Sequence, residues 1–484
     1  MASIVSFRSV LSGSVWLTSG KALSLGLRAL LIPILARLLS PEEFGVVGTS
    51  LAILMFFAVF STNGLPAALI ALAPSPREDP LVWSTIFWAQ SALAGGLTVV
   101  ILLAATPLAA LLNTPSAAPV IMALAGMFFL MCMNECMRAI LMKNMCFRAQ
   151  AIVDVVANVC GASAGIIAAV AGLGLWSLVV MHYVTTLLHT LGLFVATNFR
   201  PLWKFESKGL QGMVPFAIRV TVSNILLWIS MRSPLLIVTR MDGVAAAGAW
   251  TVSQQFVWLP NLVFVSGFLD VLFPSFASMK DDATRRAAAF RASAHATTLL
   301  YAPLLLGLWA LAEPAMLVVF GDRWQEAWMI LGSLALLSGI HAPCMAVFSF
   351  LKGIDRTDLL ISFAACRALL TVVAAISGAW FDGAEGAAML MALSMFGYMP
   401  ITLVTTLRVI GLPLAGTLLT IWRPLLAAIC MALVVRHLGL AWTPETWTVI
   451  PTLLINAGAG AGLYALVIAV VDPEARRLAR KLSR

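Results

Sequence analysis

The sequence predicts an all-α polytopic membrane protein, and its composition carries the prediction. Of the 484 residues, 61% are hydrophobic and only 11% are charged, and the mean hydropathy is +0.99. A soluble domain carries about a quarter charged residues. So much apolar surface needs an apolar solvent, which is the hydrocarbon core of a bilayer.

Apolar runs of about 20 residues, each long enough to cross a bilayer, are separated by proline, glycine and charged residues. Fourteen spans are predicted: 10–39, 44–72, 81–112, 117–142, 150–171, 173–197, 211–238, 245–277, 288–312, 325–351, 357–380, 386–409, 413–437 and 447–471. The longest of these must tilt or extend beyond the hydrocarbon.

Lysine and arginine residues are concentrated in every second connection between the predicted spans. Most of the 30 basic residues lie in connections on one side and in the C-terminal tail, and Arg367 is counted with the connection before the eleventh span. The other side holds Arg37, Arg240, Arg323 and Arg436. The positive-inside rule then places both termini in the cytoplasm and requires an even number of spans, with twelve as the alternative to fourteen.

A shift of 203 residues brings the first six spans over the next six. It aligns Arg37 with Arg240, Gly45 with Gly248, Gly64 with Gly267 and Thr18 with Thr221. The repeat predicts two six-helix lobes related by a pseudo-two-fold axis along the membrane normal, around a central cavity. The lobes are residues 1–200 and 201–410, and residues 411–484 add two spans and a basic cytoplasmic tail.

Three stretches carry a family resemblance: "ARLLSPEEFGVVG", "LMKNMCFRAQAIVDVVANVCG" and "VVFGDRWQEAWMIL". In their order and spacing they resemble the polysaccharide-transporter branch of the multidrug/oligosaccharidyl-lipid/polysaccharide exporter superfamily, which holds the Wzx-type flippases. The resemblance implies a transporter of the bacterial plasma membrane and no enzyme. The implied substrate is an oligosaccharide on polyprenyl pyrophosphate, moved from the inner to the outer leaflet for exopolysaccharide or lipopolysaccharide assembly. The polysaccharide polymerase and export machinery are candidate partners.

Four cations interrupt apolar spans: Lys21 and Arg28 in the first, Arg219 and Arg232 in the seventh. Each would cost about 2.5–3.5 kcal/mol at the bilayer centre, so we expect them to face water or a partner. Ser14, Thr18, Lys21 and Arg28 share one helix face, and Arg219, Ser223 and Ser230 form a similar stripe. The predicted substrate-binding residues are Lys21, Arg28, Arg219, Arg232, Ser14, Thr18 and Asn224, the last aligned with Lys21 by the repeat.

A pyrophosphate diester carries about two negative charges, and arginine and lysine bind phosphate oxygens through charge-assisted hydrogen bonds. A cationic cavity therefore suits the anionic head group while the prenyl tail stays in lipid. Snorkelling and structural ion pairs are the alternative roles for these cations. We expect no cofactor, no metal site and no nucleic-acid partner.

Rival functions differ in the residues that they require. A multidrug extruder should carry deep carboxylates, and a membrane polymerase or acyltransferase should carry a large outer loop with catalytic residues. The sequence disfavours both, whereas a lipid II flippase shares the architecture and stays open.

Several smaller features have structural interpretations. Gly161 and Gly165 predict a close helix contact, and Gly45 and Gly321 are expected to serve helix ends and turns. Glu135 is expected to pair with Arg138. His182 and His189 share a face for which packing is predicted, with a proton or sugar role as the alternative.

Overall fold

The computed structural model describes residues 31–62, 64–74, 76, 78–206, 212–260, 276, 283–354, 356–411, 414–440 and 449–476. These residues form helices and connections and contain no β-strand. By backbone contacts the chain divides into two compact units, Met1–Thr251 and Val252–Arg484. The lobe boundaries at residues 200 and 410 stay predictions.

Unit 1 is a bundle of long helices. After a helical stretch at residues 31–38, its helices are α1 (Pro41–Thr62), α2 (Gly64–Leu72), α3 (Pro80–Leu111), α4 (Ala117–Lys143), α5 (Phe147–Val170), α6 (Trp176–Thr197), α7 (Val214–Asp242) and the start of α8 (Val244–Pro260). Helix α4 packs against α1, α3 and α6, and α7 packs against α1 and α2.

The "SPEE" stretch starts helix α1 through a capping box. The backbone N–H of Ser40 donates to Glu43 Oε2 at 2.8 Å, and the N–H of Glu43 donates to Ser40 Oγ at 3.3 Å. Pro41 occupies the first helical position, where its missing N–H costs nothing. The predicted turn is therefore a helix start fixed by its own side chains.

Helices α5 and α6 pack closely because α5 presents glycines. A Cβ at Gly161 would overlap Thr185 Oγ1, and one at Gly165 would lie 2.8 Å from Met181 Cβ. The close helix contact predicted from the G-x-x-x-G spacing is confirmed.

A second set of glycines joins α1 to α8, and its contacts exchange in a two-fold manner. A Cβ at Gly45 would overlap the Val244 carbonyl oxygen, and a Cβ at Gly248 would overlap the Pro41 carbonyl oxygen. The 203-residue shift maps Gly45 onto Gly248 and Pro41 onto Val244. The contact of Gly45 with Val244 and the contact of Gly248 with Pro41 are therefore equivalent under the repeat. Such reciprocity is what a local two-fold axis produces. It supports the repeat around these helices, and the symmetry of the whole lobes stays a prediction.

Unit 2 contains the remaining helices. They are α9 (Ala283–Ala310), α10 (Ala312–Phe320), α11 (Trp328–His341), α12 (Met345–Gly353), α13 (Thr357–Ile410), α14 (Leu414–Leu440) and α15 (Val449–Val471), with short 3-10 helices at Asp322–Ala327 and Ala342–Cys344. Gly321 ends α10 with φ +89°, a backbone conformation that favours glycine. The helix-end role predicted for Gly321 is confirmed, whereas Gly45 lies inside α1 and serves a close helix contact instead.

Helix α13 is two helices joined at a sharp break. Asp382 and Gly383 have non-helical dihedral angles, with φ +56° at the glycine. A Cβ at Gly378 or Gly386 would overlap the other's carbonyl oxygen, so the two halves pack closely beside the break. The halves correspond to the predicted eleventh and twelfth spans.

A buried ion pair ties the end of α15 to α9. His295 Nε2 lies 2.6 Å from Asp472 Oδ2, and both side chains are at most 2% exposed. The other carboxylate oxygen, Asp472 Oδ1, accepts from the N–H groups of Glu474 at 2.9 Å and Ala475 at 3.2 Å. A buried acid is thus satisfied from two sides, as burial of a charge requires.

Ten helices among the described residues are long and apolar enough to cross a membrane, or eleven if the bent pair Thr284–Ala310 and Ala312–Phe320 forms one span. In this count the helix Asp358–Ile410 is a single span, although it contains two of the spans predicted from the sequence. The all-α polytopic class is confirmed. The number fourteen stays a prediction, since most of the first predicted span and part of the eighth lie outside the described residues.

We expect Gly248→Ala to lower the stability of the protein by about 1–3 kcal/mol, because the added methyl group meets a backbone carbonyl that has no room to move. Thermal unfolding of the purified protein in detergent measures the effect. Gly96→Ala is the matched control, since a Cβ there meets nothing within 4 Å and alanine favours the helix. Equal melting temperatures for the two variants would contradict the close contact.

Candidate functional site

Helix α7 carries the predicted cations that fall within the described residues. Gly64 of α2 faces Ala217 and Thr221, where an added Cβ would lie 2.9 Å from the Ala217 carbonyl oxygen and from Thr221 Oγ1. Arg219 lies between them in sequence, so at 100° per residue it projects from the opposite side of the helix. The Arg219 side chain is exposed, and it takes part in none of the ion pairs among the described residues.

Arg232 lies elsewhere on the same helix. It is thirteen residues beyond Arg219, which is about 20 Å along the axis and about 140° around it. One turn earlier, Trp228 contacts Phe56 of α1 with ring centroids 5.0 Å apart. Arg232 is exposed and lies beside the contact of α7 with α1. The structure therefore does not place Arg219 and Arg232 on one face.

The polar residues of α7 are engaged with its own backbone. Ser223 Oγ donates to the Arg219 carbonyl oxygen at 3.2 Å, and Asn224 Nδ2 donates to the Val220 carbonyl oxygen at 2.9 Å. Ser230 is buried. Of the predicted stripe, Arg219 alone is exposed, while Ser223 is half-buried.

Four of the predicted site residues, Ser14, Thr18, Lys21 and Arg28, lie outside the described residues. Their shared helix face and their cavity-facing role stay predictions.

A half-buried charged network that the sequence analysis did not assemble joins three helices of unit 1. Arg138 of α4 donates from Nη2 to Asp154 Oδ1 of α5 at 3.0 Å, and His189 Nε2 of α6 lies 3.1 Å from the same oxygen. The pairing predicted between Glu135 and Arg138 is confirmed, at a longer 3.8 Å. The His189 ring lies beside a carboxylate as well as between helices, and the packing role predicted for it stays a prediction.

The positive charge of Arg138 is neutralised within this network, because two carboxylates, those of Glu135 and Asp154, lie within 4 Å of its guanidinium. It differs in this from Arg219, which makes no ion pair among the described residues. The network could not be read from sequence spacing, because its members come from three separate spans.

Among solved structures, this fold is similar to the lipid II flippase MurJ in its inward closed conformation. The TM-score is 0.75 at 14% identity, and the match covers 98% of this chain and 100% of that chain. An inward-facing multidrug resistance MATE family transporter matches with a TM-score of 0.65 at 14% identity, over 84% of this chain and 98% of that chain. At such low identity these likenesses concern the fold. They define the class as polytopic, all-helical membrane proteins with the fold of these transporters.

Proteins of similar sequence identify the family within this class. The chain is 33% identical over 487 residues to the succinoglycan biosynthesis transport protein ExoT of Rhizobium meliloti (strain 1021), covering 100% of this chain and 96% of that protein. It is 22% identical to the lipopolysaccharide biosynthesis protein WzxC of Escherichia coli (strain K12), over 89% of this chain and 87% of that protein. Residues 34–329 match the model of the family described as "Polysaccharide biosynthesis protein". The chain belongs to this family, which confirms the resemblance drawn from its three motifs.

We expect Asp154→Asn to lower the stability of the protein by about 1–3 kcal/mol, because it leaves the buried Arg138 guanidinium without its closest charged partner. Thermal unfolding of Asp154→Asn, Arg138→Gln and the double variant measures the coupling. The double variant should lose less stability than the sum of the single losses. Strictly additive losses would show that the two side chains do not interact.

Proposed function

We propose that this protein is a flippase that moves a polyprenyl-pyrophosphate-linked oligosaccharide from the inner to the outer leaflet. The observation that carries the proposal is the similarity over the full chain to a succinoglycan biosynthesis transport protein, joined to a transporter fold shared with a lipid II flippase. The product would be an exopolysaccharide or a lipopolysaccharide.

The charge of the head group explains the cations in the apolar spans. A pyrophosphate diester brings about two negative charges, and each charge-assisted contact from a guanidinium contributes about 1.5–3 kcal/mol. The exposed Arg219 supports such a role, because its charge is not neutralised by a carboxylate among the described residues. Lys21, Arg28 and Arg232 complete the proposed anion-binding set, and Ser14, Thr18 and Asn224 are its proposed polar members.

The proposed mechanism is alternating access, in which the lobes 1–200 and 201–410 rock about the substrate. A membrane potential of about 100 mV, negative inside, would assist the outward movement of two negative charges by up to about 4.6 kcal/mol. The potential can then supply driving force without a coupled ion.

The two rivals that share this fold are a lipid II flippase and a multidrug extruder. A multidrug extruder for organic cations would need accessible deep carboxylates. In unit 1 the carboxylates Glu135 and Asp154 lie toward the predicted cytoplasmic ends of their spans and are paired with Arg138. The relatives named for succinoglycan and lipopolysaccharide biosynthesis favour a polysaccharide precursor over lipid II.

The protein crosses the membrane many times. We place it in the bacterial plasma membrane with both termini in the cytoplasm, as the distribution of lysine and arginine predicts. A polysaccharide polymerase and export machinery on the outer side would then receive the flipped substrate.

We expect Arg28→Ala to reduce polymer export in cells by about tenfold to a hundredfold, which is the rate equivalent of one lost charge-assisted contact. Immunoblotting of membranes should show an unchanged protein level. Arg28→Lys is the control that keeps the charge and should retain most of the export. Wild-type export by Arg28→Ala at an equal protein level would remove Arg28 from the site.

A further inference from the structure

Arg367 lies deep inside a span of unit 2, and its position corrects the sequence analysis. It was counted with the cytoplasmic connection before the eleventh span, yet helix α13 begins at Thr357. Ten residues of helix separate the two, a rise of about 15 Å and half the thickness of the hydrocarbon core.

The arginine belongs to the inner face of its helix. Leu369 and Val373 are exposed and mark the outer face of the first half of α13, whereas Ala364 and Ala368 are buried. At 100° per residue, Arg367 falls on the side of the buried alanines. Its charge therefore points into unit 2, so that snorkelling along the outer surface does not explain it.

Four side chains from neighbouring helices surround Arg367. It lies close enough to Tyr301 of α9, Cys344 and Tyr398 to interact with them electrostatically, and the ring of His341 stacks on Tyr398 with centroids 6.1 Å apart and planes 17° apart. All four neighbours are at most 6% exposed, while Arg367 itself is half-buried. Helix α9, helix α11, the 3-10 helix Ala342–Cys344 and helix α13 thus meet around one guanidinium.

None of the four neighbours is a carboxylate. In the described part of the chain Arg367 makes no ion pair, unlike Arg138, which has two acidic partners. A guanidinium removed even partly from water at mid-span is unfavourable unless something negative or strongly polar accompanies it. Nothing negative does so among the described residues, which leaves an ion or water to fill that role.

Several polar groups around Arg367 can donate hydrogen bonds. The guanidinium has five N–H groups and no acceptor. His341 Nε2 is buried without a hydrogen-bond partner, and the Tyr301 hydroxyl makes no hydrogen bond within the described residues. Tyr398 Oη already donates to the Phe363 carbonyl oxygen at 3.2 Å. Two unused groups therefore lie near a positive charge that has no counter-ion.

We propose that unit 2 binds a small inorganic anion of the halide class, such as chloride, at Arg367, with Tyr301 Oη and His341 Nε2 as further donors. The burial of all four neighbours favours a monatomic ion over a lipid phosphate, since a head group would need a wide opening. The ion would neutralise Arg367 and hold α9, α11 and the two halves of α13 together. This site is separate from the cations of α7, so it does not rest on the proposed substrate.

The test uses the purified full-length protein in detergent. Thermal unfolding is followed by tryptophan fluorescence while sodium chloride replaces sodium gluconate at constant ionic strength. Because the anion binds the native state, the melting temperature of the wild type should rise with chloride and then saturate, and bromide should act alike. Arg408→Gln, at the exposed end of the same helix, is the matched control and should keep the full response.

Two variants separate the site from general salt effects. Arg367→Gln should lose the chloride response, and Tyr301→Phe, which removes one hydroxyl, should raise the half-saturating chloride concentration several-fold. Tyr301→Phe keeps the test decisive if Arg367→Gln fails to fold. A wild-type melting temperature that is the same in chloride and gluconate would overturn the proposal, as would an unchanged half-saturating concentration in Tyr301→Phe.

Discussion

The constraint on which this protein depends is the cost of holding a charge where the surrounding helices are apolar. Each deep cation must be neutralised, hydrated or used to bind a ligand. Arg138 is neutralised by Asp154 and Glu135 within unit 1. Arg219 is exposed on α7. Arg367 points into unit 2 and makes no ion pair with a carboxylate of the described residues. These three outcomes separate a charge that stabilises the fold from the two charges that we propose bind anions.

Several helix pairs of this protein approach closely at glycines. In an apolar solvent the hydrophobic effect contributes little to the association of helices. Small residues that let two backbones approach therefore contribute much of the stability of a helix pair. Gly45 and Gly248 do so between α1 and α8, with reciprocal contacts. Gly161 and Gly165 do so between α5 and α6. Rigid helix pairs of this kind are suited to a transporter whose parts move as bodies.

Local features of the fold could be predicted from the sequence, and features made by distant residues could not. The helix start at Ser40, the contact at Gly161 and the division near Gly383 follow from spacing, because neighbours in sequence create them. The Asp154–His189 pair joins two spans, and spacing does not reveal which spans are adjacent. Arg367 was misplaced because nearby basic residues at a span end made it look like part of a connection, although it lies within the apolar run 357–380. The shared face of Lys21 and Arg28 remains a prediction.

The central claim is that the site recognises the negative charge of a pyrophosphate. Binding of a fluorescent polyprenyl-pyrophosphate oligosaccharide to the protein in proteoliposomes tests it most directly, with two competitors of equal chain length. Polyprenyl pyrophosphate should compete at a concentration about a hundredfold lower than uncharged polyprenol, as two lost charge-assisted contacts would at least require. Equal competition by the two lipids would show that the charge is not recognised and would contradict the account.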